Sequence, residues 1–202
     1  MPGKLFIVSA PSGAGKTSLV RALLHADTSV HLSVSFTTRA PRAGETHGKH
    51  YHFVSVDSFR SMQESGELLE SAEVHGNLYG TGRAWVEAQM KDGADILLEI
   101  DWQGAVQIKK LMPEAVGIFI LPPSLETLAQ RLAKRATDTP EVIERRLDAA
   151  KAEIRHVTDF DYVILNNDFE EAARDLIAVV RAERLRLTTQ LVRHHDLINR
   201  MK

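Results

Sequence analysis

The stretch Lys4-Leu-Phe-Ile-Val-Ser-Ala-Pro-Ser-Gly-Ala-Gly-Lys-Thr17 constrains the fold of this 202-residue chain more than any other. Its residues up to Ser9 are mostly apolar and end abruptly at turn-forming residues, which is typical of a short buried strand. From Lys16 to Leu24 the apolar residues recur at helical spacing. The sequence therefore predicts a strand, a glycine-rich loop and a helix, in that order, at the start of the chain.

The glycine-rich loop comes close to the pattern G-x-x-x-x-G-K-[ST], which binds nucleotide phosphates. Gly13 and Gly15 permit backbone conformations that turn successive amides inward, and the following helix presents its positive end. Lys16 supplies a charge for the β- and γ-phosphates of ATP, and the Thr17 hydroxyl suits Mg²⁺. Ala10 stands where the pattern has its first glycine, so this position is not expected to need a positive φ.

A chance lysine in a glycine-rich turn is the alternative interpretation of this loop, and the flanking strand and helix favour the phosphate loop. The predicted nucleotide-binding residues of the loop are Ala10, Pro11, Ser12, Gly13, Ala14, Gly15, Lys16, Thr17 and Ser18.

Later apolar runs predict three more buried strands, at Asp95–Ile100, Val116–Leu121 and Tyr162–Leu165. Segments with helical spacing separate them, and Phe169–Arg200 is predicted to form one long terminal helix. Strands that alternate with helices predict a parallel sheet with helices on both faces, so the fold class is α/β.

The chain between Val30 and Gly93 differs in composition, because it is polar, rich in glycine and has only short apolar runs. Within it the pattern predicts a strand at His50–Val54 and a short helix at Asp57–Glu64, with Asp57 as the cap. This stretch is expected to be a small inserted α+β subdomain.

The composition excludes several classes of protein. Twenty-five basic and 27 acidic residues give a net charge of −2, which argues against binding nucleic acid by bulk charge. The absence of cysteine excludes disulfides, thiolate zinc sites and cysteine nucleophiles. No apolar run approaches the ~20 residues that span a membrane, and no signal-peptide core is present. A cytoplasmic domain is expected, and self-association through the terminal helix is left open.

A segment rich in hydroxyl groups, Ser33–Arg42, is the candidate site for the group that receives a phosphate. Arg39 and Arg42 flank Pro41 and offer two planar donor groups, which suits a dianionic phosphate. Tyr51 and Tyr79 could add hydroxyl donors. A solvated surface turn is the alternative interpretation of this segment.

Taken together, these motifs resemble the guanylate kinase family (ATP:GMP phosphotransferases) in its bacterial single-domain form. The resemblance covers nearly the whole chain and rests on Ser9-Ala-Pro-Ser-Gly-Ala-Gly-Lys-Thr17, Val34-Ser-Phe-Thr-Thr-Arg-Ala-Pro-Arg42, Gly48-Lys-His-Tyr51, Gly76-Asn-Leu-Tyr-Gly-Thr81, Ile100-Asp-Trp-Gln-Gly104, Ile118-Phe-Ile-Leu-Pro-Pro123 and Val163-Ile-Leu-Asn-Asn-Asp168.

The resemblance implies a three-layer P-loop NTPase fold with a parallel core sheet, an α+β GMP-binding insertion and a helical lid. A single domain would comprise a core at residues 1–33, 94–124 and 157–202, the insertion at residues 34–93 and the lid at residues 125–156. ATP would be the phosphoryl donor, with Mg²⁺, and GMP or dGMP the acceptor.

The resemblance also implies the residues that bind the acceptor. The GMP phosphate would contact Arg39, Arg42, Tyr51 and Tyr79, and the guanine would contact Ser35, Glu70, Thr81 and Asp101, beside Gly80. Ionised carboxylates only accept hydrogen bonds, so they favour the two donors on guanine and disfavour N1 of adenine. The hydroxyls of Ser35 and Thr81 are expected to donate to guanine O6 or N7. Thr17 and, through water, Asp101 are the expected metal ligands, with Glu99 as the alternative carboxylate.

A basic cluster between Arg131 and Arg146 is the predicted lid. Charge runs are commonly solvated helix faces, but arginines that close over a transferring phosphoryl group stabilise its charge. The resemblance places the lid arginines at Arg135 and Arg146, with Arg131 and Arg135 contacting ATP. The catalytic set is then Lys16, Arg39, Arg135 and Arg146. Lys134-Arg135-Ala136 replaces the family's Gly-Arg-Gly, which predicts a stiffer lid.

The sequence therefore predicts an enzyme that transfers the γ-phosphoryl group of MgATP to GMP and dGMP, giving ADP and GDP. One alternative is a non-catalytic guanylate-kinase-like module that binds protein ligands, although such modules typically lack a working phosphate loop. Another is a kinase for a different nucleoside monophosphate or a phosphorylated sugar.

Overall fold

The computed structural model describes residues 3–74, 76–133 and 140–202. In chain order its elements are β1 (Leu5–Ser9), α1 (Lys16–Ala26), β2 (Val30–Leu32), β3 (Phe36–Thr37), β4 (His52–Phe53), α2 (Val56–Glu64), β5 (Leu68–Val74), β6 (Asn77–Gly82), α3 (Arg83–Lys91), β7 (Asp95–Glu99), α4 (Trp102–Leu111), β8 (Val116–Leu121), α5 (Leu125–Ala133), α6 (Pro140–Ile154), a short 3-10 helix (Arg155–Asp159), β9 (Tyr162–Leu165), α7 (Phe169–Leu185), α8 (Leu187–Arg193) and α9 (His195–Arg200). No helix in these ranges is long and apolar enough to cross a membrane.

A five-stranded parallel sheet forms the core, with the strand order β2-β7-β1-β8-β9. Every residue of the central strand β1 is buried, as expected for a strand covered by helices on both faces. Because β1 and β7 are parallel neighbours, their carboxyl ends lie side by side. The loop after β1 therefore meets the residues that follow β7, which is where ligands bind in open α/β sheets.

Helices cover both faces of this sheet, as predicted. One layer of buried side chains, including Phe6, Leu19 and Leu176, packs the sheet against α1 and α7. The other layer, including Ile7 and Ile108, packs it against α3 and α4. The predicted α/β architecture with a parallel sheet is confirmed.

The insertion contains a second sheet, with the order β4-β3-β6-β5. Its strands β5 and β6 form an antiparallel hairpin, and β3 pairs antiparallel with β6 and parallel with β4. Two hydrogen bonds between the Gln107 side chain and the Ser71 backbone attach β5 to α4 of the core, at 3.2 and 2.8 Å. The insertion is therefore attached to α4 of the core at Ser71.

Two local predictions were wrong, and one strand was missed. Ser55, and not Asp57, caps α2, because its hydroxyl accepts the Ser58 N–H at 3.1 Å and Asp57 lies inside the first turn. The strand predicted at His50–Val54 is limited to His52–Phe53. The short strand β2, which pairs with β7 at the sheet edge, was not predicted, because three residues carry no readable periodicity.

The terminal segment was also predicted wrongly, since it forms three helices where one was expected. Arg186, at φ −54° and ψ 140°, and His194, at φ −119° and ψ 27°, leave the helical conformation and separate α7, α8 and α9. Leu176 and Val180 of α7 are fully buried, whereas Leu187 of α8 is 71% exposed. Only α7 therefore packs into the core, and the apolar residues beyond it lie on the surface.

Candidate functional site

The glycine-rich loop has the backbone geometry that the sequence predicts. Gly13 and Gly15 have φ values of 94° and 97°, in the left-handed region that favours glycine. The Ala14 N–H donates to the Pro11 carbonyl at 3.1 Å, which closes the turn before α1. The predicted nucleotide-binding residues from Ala10 to Ser18 line one cleft, except Ala14, whose side chain is buried in the core.

A support for this loop comes from the carboxyl end of β9. The Asn166 side-chain amide donates to the Ala14 carbonyl at 2.6 Å, and a Cβ atom on Gly15 would lie 2.3 Å from that amide nitrogen. Arg131 of α5 donates to the carbonyls of Asn166 and Ala14 at 3.0 and 3.4 Å. In the structure the Arg131 guanidinium therefore supports the backbone of the phosphate loop, directly at Ala14 and indirectly through Asn166.

Two oxygen-bearing side chains of the kind that suit a hard cation lie side by side where α1 faces the end of β7. The Thr17 hydroxyl donates to Glu99 Oε1 at 2.5 Å. Asp101 is engaged differently, because its Oδ1 accepts the Gly104 N–H at 2.9 Å and caps α4. Mg²⁺ commonly binds one or two protein oxygens and completes its shell with water and substrate phosphates. The donor set fits this ion, and Glu99 is the carboxylate that contacts Thr17.

A second cluster, in the insertion, is centred on Arg39. Its guanidinium bonds both carboxylate oxygens of Glu45 at 2.8 and 2.9 Å and lies 5.4 Å from the centroid of the Tyr51 ring. The Tyr51 and Tyr79 rings are 5.9 Å apart, and Arg42 lines the same cleft. The Arg42 backbone N–H donates to Glu45 at 2.7 Å. All four residues expected at the GMP phosphate are thus brought together around Glu45.

The residues expected to contact guanine lie at the neighbouring cleft, which Ser35, Glu70 and Asp101 line together with Lys16. Thr81 is fully buried behind it and donates its hydroxyl proton to Glu70 Oε1 at 2.7 Å. In the structure Thr81 therefore orients Glu70, which differs from the expectation that it donates to the base.

Two glycines make room for Glu70. A Cβ atom on Gly104 would lie 2.5 Å from Glu70 Oε2, and a Cβ atom on Gly80 would meet the Glu70 backbone carbonyl and two side chains at 3.0 Å. Real Cβ atoms essentially never approach as closely as 2.5 Å, so Gly104 is required for the observed position of Glu70.

Comparison with known proteins agrees with this geometry. A family model described as Guanylate kinase matches residues 2–183. The chain is 60% identical to the guanylate kinase of Aromatoleum aromaticum over 194 residues, covering 96% of this chain and 95% of that protein, and 57% identical to that of Dechloromonas aromatica over the full length of both. The chain belongs to the guanylate kinase family. A crystal structure of guanylate kinase from Anaplasma phagocytophilum is similar at a TM-score of 0.78 and 38% identity, over 92% of this chain and 88% of that one.

Burial dominates the electrostatics of the cleft that Ser35, Glu70 and Asp101 line. Glu70 is only 5% exposed, and burial raises its pKa to about 7. The hydrogen bond from Thr81 acts in the opposite direction, and the nearby charge of Asp101 raises the pKa further. The ionised form of Glu70 is therefore destabilised.

The predicted lid contacts the phosphate loop through α6. Arg146 Nη2 donates to the Ser12 hydroxyl at 2.8 Å, so this predicted catalytic arginine contacts the phosphate loop. Arg145 is exposed on the same helix. Lys134, Arg135 and Ala136 lie outside the described residues, so the expected role of Arg135 and the expected stiffness of the lid stay predictions.

Four residues at the site of this kinase family member were not singled out from the sequence. Glu45 anchors Arg39, Asn166 supports the phosphate loop, and Gly104 makes room for Glu70. Glu153 of α6 lines the phosphate-loop cleft. Gly104 and Asn166 both lie within motifs that carry the family resemblance, but Glu45 and Glu153 lie outside those motifs and carry no local signal.

Proposed function

We propose that this chain transfers the γ-phosphoryl group of MgATP to GMP, giving ADP and GDP, in guanine nucleotide metabolism, and that dGMP is also accepted. Membership of the guanylate kinase family supports this reaction, and the names of its relatives agree with it. One structural observation carries it further. Lys16 lines both the phosphate-loop cleft and the cleft of Glu70, and its ammonium group donates to the Ile100 carbonyl at 3.1 Å, so the two proposed substrate sites share one cationic residue.

Phosphoryl transfer would depend on positioning and charge stabilisation. The attacking phosphate oxygen of GMP is already nucleophilic at neutral pH, so no general base is needed. Arg39, with the two tyrosines beside it, would orient the GMP phosphate, while Lys16 and Arg146 would contact the donor phosphates. Mg²⁺ would be held at Thr17 and Glu99, and it neutralises charge on the donor phosphates when bound.

Recognition of guanine would depend on the carboxylates of Glu70 and Asp101. Both groups accept hydrogen bonds when ionised, which matches the N1–H and amino donors of guanine. Adenine presents an acceptor at N1 and would leave a buried carboxylate without a donor, which costs about 1–3 kcal/mol. Ser35 lines the same cleft and has a hydroxyl to offer O6 or N7.

The division into parts is also a proposal. The core would comprise residues 1–33, 94–124 and 157–202, the GMP-binding insertion residues 34–93, and the lid residues 125–156. The second sheet and its attachment through Gln107 support a separate insertion. A cytoplasmic location and self-association stay predictions.

The non-catalytic alternative receives no support from the comparisons, and Gly13 and Gly15 of the phosphate loop have the positive φ values that such a loop needs. The test of the proposed function is ADP release from MgATP with GMP, dGMP, AMP, UMP or CMP offered separately. We expect turnover with GMP and dGMP and little with the other three. Turnover with AMP but not GMP would refute the guanine assignment, and no turnover with any acceptor would refute the enzyme.

A further inference from the structure

The strand that carries Glu70 lies at the edge of the second sheet. In the order β4-β3-β6-β5, strand β5 has a strand neighbour on one side only. The backbone of Ser71, directly after Glu70, is bonded by the side chain of Gln107 in α4. The Ser71 N–H donates to Gln107 Oε1 at 3.2 Å, and Gln107 Nε2 donates to the Ser71 carbonyl at 2.8 Å. One amide side chain therefore satisfies both backbone groups, as a neighbouring strand would.

A β-bulge lies directly before Glu70. Leu68 and Glu70 pair with adjacent residues of β6, so β5 has one extra residue, Leu69, between them. Leu69 is buried in the layer that packs the core sheet against α3 and α4, whereas Glu70 lines the cleft. A bulge re-aims the side chains beside it and locally disrupts the pairing of the strand. The position of Glu70 therefore depends on what holds the backbone on either side of it, and Ser71 is the residue that follows.

Helix α4 presents three groups at intervals of three residues. Asp101 caps the helix, Gly104 leaves room for the Glu70 carboxylate, and Gln107 bonds Ser71. Residues three apart are neighbours on the surface of a helix. Both carboxylates that the proposed function assigns to guanine are thus tied to one helix, since Asp101 belongs to it and Glu70 is joined to it through the next residue.

We propose that Gln107 is a positioning residue that determines specificity for the base: its amide holds the backbone beside Glu70 on α4 and so fixes the separation of the Glu70 and Asp101 carboxylates. This inference rests on the proposed function, in which both carboxylates accept donors from guanine. A hydrogen bond weakens steeply when its geometry departs from the optimum, so two acceptors that bind one base need a defined separation. Gln107 bonds the backbone and acts on guanine through Glu70.

The test is Gln107→Met, which keeps an unbranched side chain of similar length and removes both hydrogen bonds to Ser71. In steady-state kinetics with GMP and MgATP, KM for GMP should rise about ten-fold, because the freed backbone groups allow Glu70 to move. The value of kcat and KM for ATP should stay the same, as expected when only binding of the acceptor is lost. Gln107→Glu keeps the accepting oxygen but turns a second oxygen toward the Ser71 carbonyl, so KM for GMP should rise at least as far.

The matched control is Gln63→Met. Gln63 Nε2 donates to the Ser71 hydroxyl at 2.7 Å, so the control makes the same substitution at a contact of the same residue. It leaves the two backbone hydrogen bonds of Ser71 intact, and KM for GMP should therefore stay the same. An equal rise of KM for GMP in the control and in Gln107→Met would overturn the inference.

Coupling to Glu70 separates positioning from a general effect on the fold. In a Glu70→Gln background the accepting carboxylate is already lost, so adding Gln107→Met should cost little further affinity for GMP in calorimetry. A contact that only stabilises the fold would cost the same in both backgrounds, and that additive result would overturn the inference.

The remaining outcomes distinguish the inference from the proposed function. Unchanged KM for GMP in both Gln107 variants, or an equal rise of KM for GMP and for ATP, would overturn the inference while the parent protein still phosphorylates GMP. Failure of the parent protein to phosphorylate GMP would instead refute the proposed function and this inference together.

Discussion

Glu70→Gln should stabilise the ligand-free protein, and the gain should grow with pH. The side chain is 5% exposed and accepts a hydrogen bond from Thr81, and burial raises its pKa to about 7 from the ordinary value of 4.5. Gln has the same shape, keeps an oxygen that accepts from Thr81, and cannot ionise. The variant therefore removes the cost of charging a desolvated carboxyl group.

The size of the effect follows from the shift in pKa. A carboxyl group whose folded pKa is raised contributes stability that is fully present below the ordinary value and is lost as the pH rises toward the folded pKa. One unit corresponds to about 1.4 kcal/mol, so ionising Glu70 costs about 1 kcal/mol at pH 5, about 2 kcal/mol at pH 6 and about 3 kcal/mol at pH 8. The Gln variant avoids this cost.

The assay is thermal unfolding of the two proteins without ligand between pH 5 and pH 8. For a chain of this length, 1 kcal/mol shifts Tm by roughly 2–4 °C, so the difference in Tm should widen by about 4–8 °C across this range. Glu73→Gln, on the exposed side of the same strand, is the matched control and should show no such widening. A Tm difference that is independent of pH would refute the reasoning.

The affinity for GMP should fall in Glu70→Gln, although the stability of the ligand-free protein rises. In the proposed function the Glu70 carboxylate accepts donors from guanine, and an amide replaces an accepting oxygen with an N–H donor. The affinity for GMP should fall about 10- to 100-fold in Glu70→Gln, measured by calorimetry, while ATP binding stays the same. Equal weakening of both ligands would show that the variant disturbs the fold and not the guanine contact.

Three further substitutions test other contacts of the site. Lys16→Ala should lower phosphoryl transfer by at least about 100-fold and leave GMP binding intact. The control Lys91→Ala, in the last turn of α3, should change neither phosphoryl transfer nor GMP binding. A Lys16→Ala variant with near-normal turnover would refute the phosphate-loop assignment. Gly104→Ala should raise KM for GMP but not for ATP in steady-state kinetics, because the added Cβ would lie 2.5 Å from the Glu70 carboxylate. Glu45→Gln should weaken GMP several-fold but not guanosine, since it loosens the two-oxygen contact with Arg39; equal loss for both would contradict this role.

The core of the fold was predictable because its signals are local. The apolar run before the phosphate loop and the run at Val116–Leu121 are fully buried or nearly so, and strands of this kind show as continuous apolar segments. The terminal segment was not predictable in the same way. Its apolar spacing continues beyond Leu185, although Arg186 leaves the helical conformation and ends α7. No glycine or proline lies at this position to indicate the end of the helix.

The residues of the candidate site also differ in how far the sequence alone could predict them. The phosphate loop is contiguous in sequence, so its residues and their chemistry were predictable from one stretch. Glu70 became a candidate only through the family resemblance, because nothing local separates it from Glu67 or Glu73. Its distinguishing property is burial beneath Thr81 and Gly104, and burial is decided by the packing of β5 on α4. Glu153 is harder still, since most of the chain separates it from the phosphate loop whose cleft it lines.

The buried carboxyl group of Glu70 links the stability of the protein to the binding of its acceptor. Burial raises the pKa of Glu70, so ionising this group without a ligand costs stability. In the proposed function guanine supplies N–H donors to the carboxylate and would stabilise the charge in place. The proposed acceptor cleft would therefore tighten around its substrate, because the ligand offsets a cost that the protein otherwise carries.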